Sequence, residues 1–156
     1  MNTSTKPSIK LSKRLLKIEQ MVTSQYQHIW DCCCDHGLLG FTLLTRQAAE
    51  NIHFVDIVPE LMAELNAKLQ RFFTPLPNSN NASWYTHCID VAKLPLLEHK
   101  GKSLIIIAGV GGDLMIQFFQ NIHQQFPNLQ IDFLLCTVHH QFSLLQQLIT
   151  LNFSLI

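Results

Sequence analysis

The sequence predicts an α/β domain built on an open, doubly wound, mostly parallel sheet with helices on both faces, and three observations carry that prediction. Short apolar segments of strand length alternate with segments of helical periodicity, the order that produces βαβ units. Residues 103–108, Ser-Leu-Ile-Ile-Ile-Ala, form an almost wholly apolar run, as expected of a central strand covered on both faces. Residues 29–41, Ile-Trp-Asp-Cys-Cys-Cys-Asp-His-Gly-Leu-Leu-Gly-Phe, read as a strand ending in an acid, a tight polar turn and an apolar helix start. Such a sheet presents a small-molecule site in that way, at the carboxyl end of its first strand.

The elements follow in order. Residues 8–22 place Ile9, Leu11, Leu15, Leu16, Ile18 and Val22 at mostly helical spacing between charged positions, an amphipathic helix. Residues 28–33 are the first strand, 38–49 a helix, and 52–57 a second strand that carries Asp56 near its end. Pro59 suits the first turn of a helix running to about Phe72. The stretch 74–83 is dense in Pro, Asn and Ser and reads as a surface loop. A third strand at 84–89 is closed by Asp90, and the link 90–102, with Pro95, is largely irregular with room for one helical turn. After the apolar strand, Gly109-Val110-Gly111-Gly112 turns into a helix from about 113 to 126. A fifth strand at 132–138, a helix at 142–151 and the beginning of a sixth strand at 153–156 complete the reading, with no internal repeat.

The 156 residues are enough for one domain with a substantial core, here taken as 1–156. With 47% hydrophobic and 14% charged residues the chain is globular rather than disordered. No apolar run approaches the roughly 20 residues that span a bilayer, and the polar first ten residues do not read as a secretory signal. Five cysteines, three of them contiguous, make no disulfide framework, because strand neighbours point to opposite faces. A reducing cytoplasm is the matching expectation. Five of the eleven basic residues (Lys6, Lys10, Lys13, Arg14, Lys17) lie in the first seventeen positions, before any acid. Such a helix can track phosphates, or it can simply be a solvated face.

Asp31, Asp56 and Asp90 fall at or just past the carboxyl ends of successive strands, and Gly109 to Gly112 follow the fourth, so all four groups are expected on one rim. An acid after the second strand suits the two hydroxyls of a ribose, and one after the third can reach the exocyclic amine of an adenine. Each acid alone could instead cap the helix that follows. The glycine segment invites a nicotinamide reading, but Leu114 stands where the third glycine of G-x-G-x-x-G belongs. A metal reading of Cys32–Cys34 with His36 lacks the paired spacing of a zinc knuckle. Cys88 and Cys136 fall in predicted strands as ordinary buried small hydrophobes, and His139-His140 reads as a loop pair, so no metal is expected.

Leu11-Ser12-Lys13-Arg14-Leu15, Asp31-x-x-x-Asp35-His36 and Ile107-Ala108-Gly109-Val110-Gly111-Gly112 resemble, in this order and at similar separations, the L-S-x-R-L, D-I-G-S-D-H and I-A-G-M-G-G segments of the TrmK-type tRNA (adenine-N1)-methyltransferases. The resemblance runs from about residue 10 to the end. It implies a Rossmann-like, class I S-adenosylmethionine (SAM) methyltransferase fold and methyl transfer to N1 of a tRNA adenine of the position-22 type. It also implies roles: Asp31, Cys33, Cys34 and Gly37 in the loop around the cofactor's methionine end, Asp56 on its ribose, Asp90 on its adenine, and Gly109 on the cofactor side of the rim. Gly111 and Gly112 would receive the target base and Arg14 the tRNA. Asp35 and His36 are the catalytic candidates, Asp35 for stabilising the methylated, positive adenine and His36 for orienting the loop; Asp35 bracing the turn is the plain alternative. Three departures accompany the likeness. Cys33 stands where the family has glycine, Cys136-Thr137-Val138 stands where relatives tend to show Q-P-N, and relatives continue past Ile156 with a last strand and a helical domain. The sheet is therefore expected to lack its last strand. The rival reading is a non-catalytic SAM- or RNA-binding remnant, and a third is a methyltransferase on another substrate.

Overall fold

The structure, a computed structural model, describes residues 9–74 and 81–138. The expected helix at 142–151 and strand at 153–156 lie outside the described residues, as does most of the 74–83 loop. Five strands, β1 (His28–Cys32), β2 (Asn51–Asp56), β3 (Ser83–Cys88), β4 (Ser103–Ala108) and β5 (Ile131–Cys136), form one sheet in the order β3-β2-β1-β4-β5. Every pairing is parallel, with Trp30 level with His53 and Ile105, and Asp56 level with Cys88. The order reverses between β1 and β4, and this switch point is where an open α/β sheet leaves a crevice beyond its carboxyl ends.

Four helices cover the sheet: α1 (Lys13–Met21), α2 (Leu38–Thr45), α3 (Pro59–Phe72) and α4 (Gly112–Gln125). On one face Ile18, Phe41, Leu43, Leu65 and Leu69 from α1, α2 and α3 pack on Ile29, Ile52, Phe54, Leu104 and Ile106. On the other, Met115, Phe119 and Ile122 of α4 pack on Trp30, Cys32, Val55, Ile105 and Ile107. The alternation of β1 and β4 side chains between these cores is the period-two pleat of strands buried on both sides. Cys32 goes into the second core. Among the described residues no helix is long and apolar enough to cross a membrane.

Two helix boundaries differ from expectation for local reasons. The first helix starts at Lys13 because Ser12 is its N-cap, its Oγ accepting from the Leu15 N–H at 3.3 Å. The helix expected over 38–49 stops at Thr45 in a Schellman motif: Gln47 takes a left-handed φ of 53°, its N–H reaches the Leu44 carbonyl, and the Ala48 N–H reaches that of Leu43. Gln47 holds the position that glycine usually marks. The link 90–102 forms two short 3-10 turns, Val91–Lys93 and Leu96–Glu98, rather than one helical turn. Cys88 corrects a further expectation. It is exposed, and Cys136 is half-buried, because both lie on the outer strands of the described sheet.

Candidate active site

A cleft of about 400 Å³ opens beyond the carboxyl ends of β1, β2 and β4. Asp31, Cys33, Cys34, Asp35, His36, Asp56 and Gly109 line it, with Arg14 from α1 and an apolar set that includes Leu15, Leu39, Val58 and Leu61. Its size is within the roughly 300–1,000 Å³ of small-molecule sites.

The loop between β1 and α2 is held in an unusual backbone shape. Cys33 has φ 59° and Asp35 φ 52°, and Gly37 enters α2 at φ 74°. For an L-residue the left-handed region costs about 1–2 kcal/mol, least for Asp and Asn. Glycine would carry no such cost at position 33, so the strained cysteine marks a place where the turn itself demands the conformation. Two backbone bonds lock it: Cys34 N–H to the Val55 carbonyl at 3.0 Å and Gly37 N–H to that of Cys34 at 2.7 Å. A side-chain bond ties it to the next strand, since the Asp35 N–H donates to Asp56 Oδ2 at 3.0 Å.

Asp56 also accepts from the Val58 N–H through Oδ1 at 3.1 Å, bridging the loop and the start of α3. Each carboxylate oxygen has two acceptor positions, so one remains on each for a ligand hydroxyl. Asp31 is buried and accepts from the Gly40 N–H at 3.0 Å. Burial pushes its carboxyl up to about 7, the Gly40 bond opposes this, and the nearby Asp56 adds to it. Gly40 is required there: a Cβ would lie 2.5 Å from Phe54 Cε1 and 3.0 Å from Asp31 Oδ2. The Cys33 thiol is pushed up to about 11, by burial first and then by Asp56, Asp31 and Asp90. Three distant carboxylates thus bear on one sulfur, the convergence expected of the rim.

Other expected residues are placed less centrally. Asp35 and His36 are exposed at the mouth, with His36 Nε2 3.8 Å from Asp35 Oδ1. Asp90 caps the Val91–Lys93 turn, its Oδ1 accepting from Ala92 N–H at 2.8 Å, and does not line the cleft. Gly37, Gly111 and Gly112 are also outside the lining, Gly111 as N-cap of α4. The Cys34 thiol is buried beside Met62, 3.9 Å from its sulfur. Arg14 does reach the cleft: a Cβ on Gly109 would sit 3.4 Å from its Nη2, and Gly109 itself has φ 83°. A Cβ on Gly111 would meet nothing within 4 Å, so the protein's own packing leaves that space clear. Apart from Leu15, which closes the Leu11–Leu15 motif, the apolar lining carried no signal in the sequence, because its members are ordinary helix and loop residues until the strands bring them together.

The family model described as a methyltransferase domain matches residues 11–156. The chain belongs to the methyltransferase domain family. Solved structures share its fold at low identity. TrmK from M. capricolum, in complex with S-adenosyl-homocysteine, superposes with a TM-score of 0.74 at 16% identity over 92% of this chain and 59% of that one. The B. subtilis m1A22 tRNA methyltransferase TrmK gives 0.68 at 16% identity over 96% and 59%. Streptococcus pneumoniae Sp1610 in complex with S-adenosyl-L-methionine gives 0.71 at 16% identity over 89% and 61%. The chain therefore spans about three fifths of the length of these structures. No curated protein matches it.

Proposed function

We propose that this methyltransferase domain binds SAM in the cleft and transfers its methyl group to N1 of an adenine in tRNA. The observation that carries the reading is the left-handed turn at Cys33, tied through Asp35 to Asp56 at the switch point of the sheet. That turn keeps its shape with cysteine in the family's glycine position, and the cleft stays open at about 400 Å³ with the cysteine in its wall. The residues present therefore fit the cofactor. Asp56 would hold the ribose hydroxyls with its two remaining acceptor positions. Asp90, outside the cleft lining but next to it as the cap of the Val91–Lys93 turn, would meet the adenine only where that base extends past the lining, and the loop through Asp31, Cys33 and Cys34 would hold the methionine end. Gly109 and Gly111 add no side chains of their own to the opposite rim, where an incoming base would lie, and Arg14, beside Gly109, would offer a cation to tRNA phosphate.

When bound, SAM supplies an electrophilic methyl group on a sulfonium. The lone pair of adenine N1 is free, so the protein need not remove a proton, and alignment and electrostatics are left to do the work. The base becomes positive as it accepts the methyl, and Asp35 at the mouth faces that charge, with His36 beside it. Asp35→Asn, which removes the charge and tolerates the left-handed backbone, is expected to lower methyl transfer at least about tenfold while SAM affinity stays unchanged; equal turnover would remove Asp35 from the role. Asp56→Asn replaces a charged acceptor and should weaken SAM binding, read by calorimetry, about tenfold or more. The deciding experiment is methyl transfer to unmodified tRNA transcripts with and without the target adenine. Transfer only to the transcript that has it is the expected result; SAM binding with no transfer to any tRNA would overturn the reading.

A further inference from the structure

His28 at the amino end of β1, His53 in the middle of β2, His87 near the carboxyl end of β3 and His99 from the 90–102 link meet on the α4 face of the sheet. His28 Nδ1 lies 3.0 Å from His53 Nε2, and His53 Nδ1 lies 2.9 Å from His87 Nε2. His28 Nε2 lies 3.0 Å from the Lys100 carbonyl. A carbonyl only accepts, so His28 carries its proton on Nε2 and offers a lone pair at Nδ1. His53 must then donate from Nε2, and His87 from its own Nε2. The chain is satisfied with all three rings neutral. His53 is held flat between Trp30, stacked at 3.7 Å, and Tyr85, stacked at 4.9 Å.

The fourth ring comes from the irregular link. His99 ends the Leu96–Glu98 turn and stands edge-on over His53 at 4.5 Å and over His28 at 5.4 Å between ring centroids. One nitrogen each of His28, His53 and His99 lies within 4.8 Å of the others, and this is the group among the described residues that could share an ion. His28 and His53 are buried, whereas His99 is half-buried and also lines a cavity of about 350 Å³ with Lys100 and Gly101.

We propose that His28, His53 and His99 form a three-imidazole site for one divalent transition-metal ion, best matched to zinc, which clamps the 90–102 link onto the sheet. Imidazole nitrogens suit zinc, copper and nickel, and Zn–N bonds of about 2.0–2.1 Å bring tetrahedral ligands to roughly 3.4 Å apart. His28 Nδ1 and His53 Nε2 are already near that spacing. His99, on the link rather than in a strand, closes the set by rotating its side chain. A metal-ligating histidine is normally braced through its other nitrogen, and here Lys100 braces His28 and His87 braces His53. Binding needs no net proton release. The His53 proton moves from Nε2 to Nδ1 and is then donated to His87 Nε2, whose own proton moves to Nδ1.

The test is titration of the full chain, first stripped with a chelator, with zinc and separately with cobalt. One equivalent of zinc is expected to bind and raise Tm. Cobalt is expected to show the visible bands of a tetrahedral nitrogen set without the near-ultraviolet band of a thiolate ligand. His99→Ala should weaken zinc binding at least about tenfold, and His87→Phe, which removes the brace, by about tenfold. Absence of stoichiometric binding, a thiolate band that moves the ion to the cysteines, or His99→Ala binding like the parent chain would each overturn the proposal. The cobalt spectrum of the unaltered chain decides the matter even if a variant fails to fold.

Discussion

The carboxyl and amino ends of one sheet bury polar side chains by opposite means. At the carboxyl end Asp31, Asp56 and Asp90 bring negative charge toward the Cys33 sulfur, and the charges are met by backbone N–H groups of Gly40, Asp35, Val58 and Ala92. Toward the amino end, on the α4 face, His28 and His53, joined by His87 from near the carboxyl end of β3, satisfy one another as neutral rings, stacked with Trp30 and Tyr85. The first end keeps acceptor positions open toward a cleft. The second closes on itself and opens only where His99 leans over it. A ligand with donors and positive charge suits the first, and an electron-pair acceptor suits the second.

The largest effect that would break this comparison is loss of the stack. Trp30 is fully buried and its indole N–H donates to Ser103 Oγ at 3.2 Å. Trp30→Ala is expected to cost about 3–5 kcal/mol in urea unfolding, as other large core truncations do. If the ends are independent, the variant that remains folded at low urea should bind SAM like the parent chain. A parallel loss of SAM affinity would mean that the ends are coupled.

The two ends should also titrate with opposite sign. Asp31 is raised from 3.8 to about 7, so its contribution is full below pH 3.8 and is lost as pH rises toward 7. The cost above that pH is on the order of 4 kcal/mol. Asp31→Asn keeps an acceptor for Gly40 and should remove this loss, so that its urea midpoint exceeds the parent's most at pH 8. His53 runs the other way. Burial first, then His99, His87 and His28, lower it from 6.5 to about 2, and His87 and His99 are lowered too, with Glu98 opposing both. In metal-free protein their contribution is full above pH 6.5 and is lost as pH falls below it. His53→Gln should flatten that acid limb and leave the alkaline limb untouched. Between pH 3.8 and 6.5 the two slopes oppose and offset each other in the parent chain, so the single variants carry the test: a variant whose pH profile runs parallel to the parent's would show that the substituted group is not held as described.

The smallest effect is at the strained turn. Cys33→Gly removes a left-handed cost of about 1–2 kcal/mol and adds about 0.4–1 kcal/mol of unfolded-chain entropy. A net gain of roughly 0.5–1 kcal/mol is expected by urea unfolding, together with tighter SAM binding. Weaker binding would mean that the cysteine side chain itself contributes to the site.

The strands were legible because their signal is local. Residues 103–108 match β4 residue for residue, since an apolar run with no turn residues can be read without knowing its neighbours. The cleft was legible in part for the same reason, since strand ends are ordered by connectivity alone: Asp31, Asp56 and Gly109 line it, whereas Asp90, Gly111 and Gly112 do not. The end of α2 was not, because a glutamine in a left-handed cap looks like a helical residue. Asp90 shows how one position supports two readings, since it caps a turn and still bears on Cys33.

The amino-acid sequence by itself determined the α/β class, the order of strands and helices, and the segment that forms the loop between β1 and α2, because periodicity and turn chemistry act over a few neighbouring residues. Only the tertiary structure decided which side chains meet across strands. His28, His53, His87 and His99 are spread over more than seventy positions, and nothing in their local context marks them as a group. They converge because parallel pairing places Trp30, His53 and Tyr85 in one row and the link from β3 to β4 crosses that face. The strain at Cys33 likewise became visible only as a backbone angle imposed by bonds to Val55 and Asp56 from the neighbouring strand.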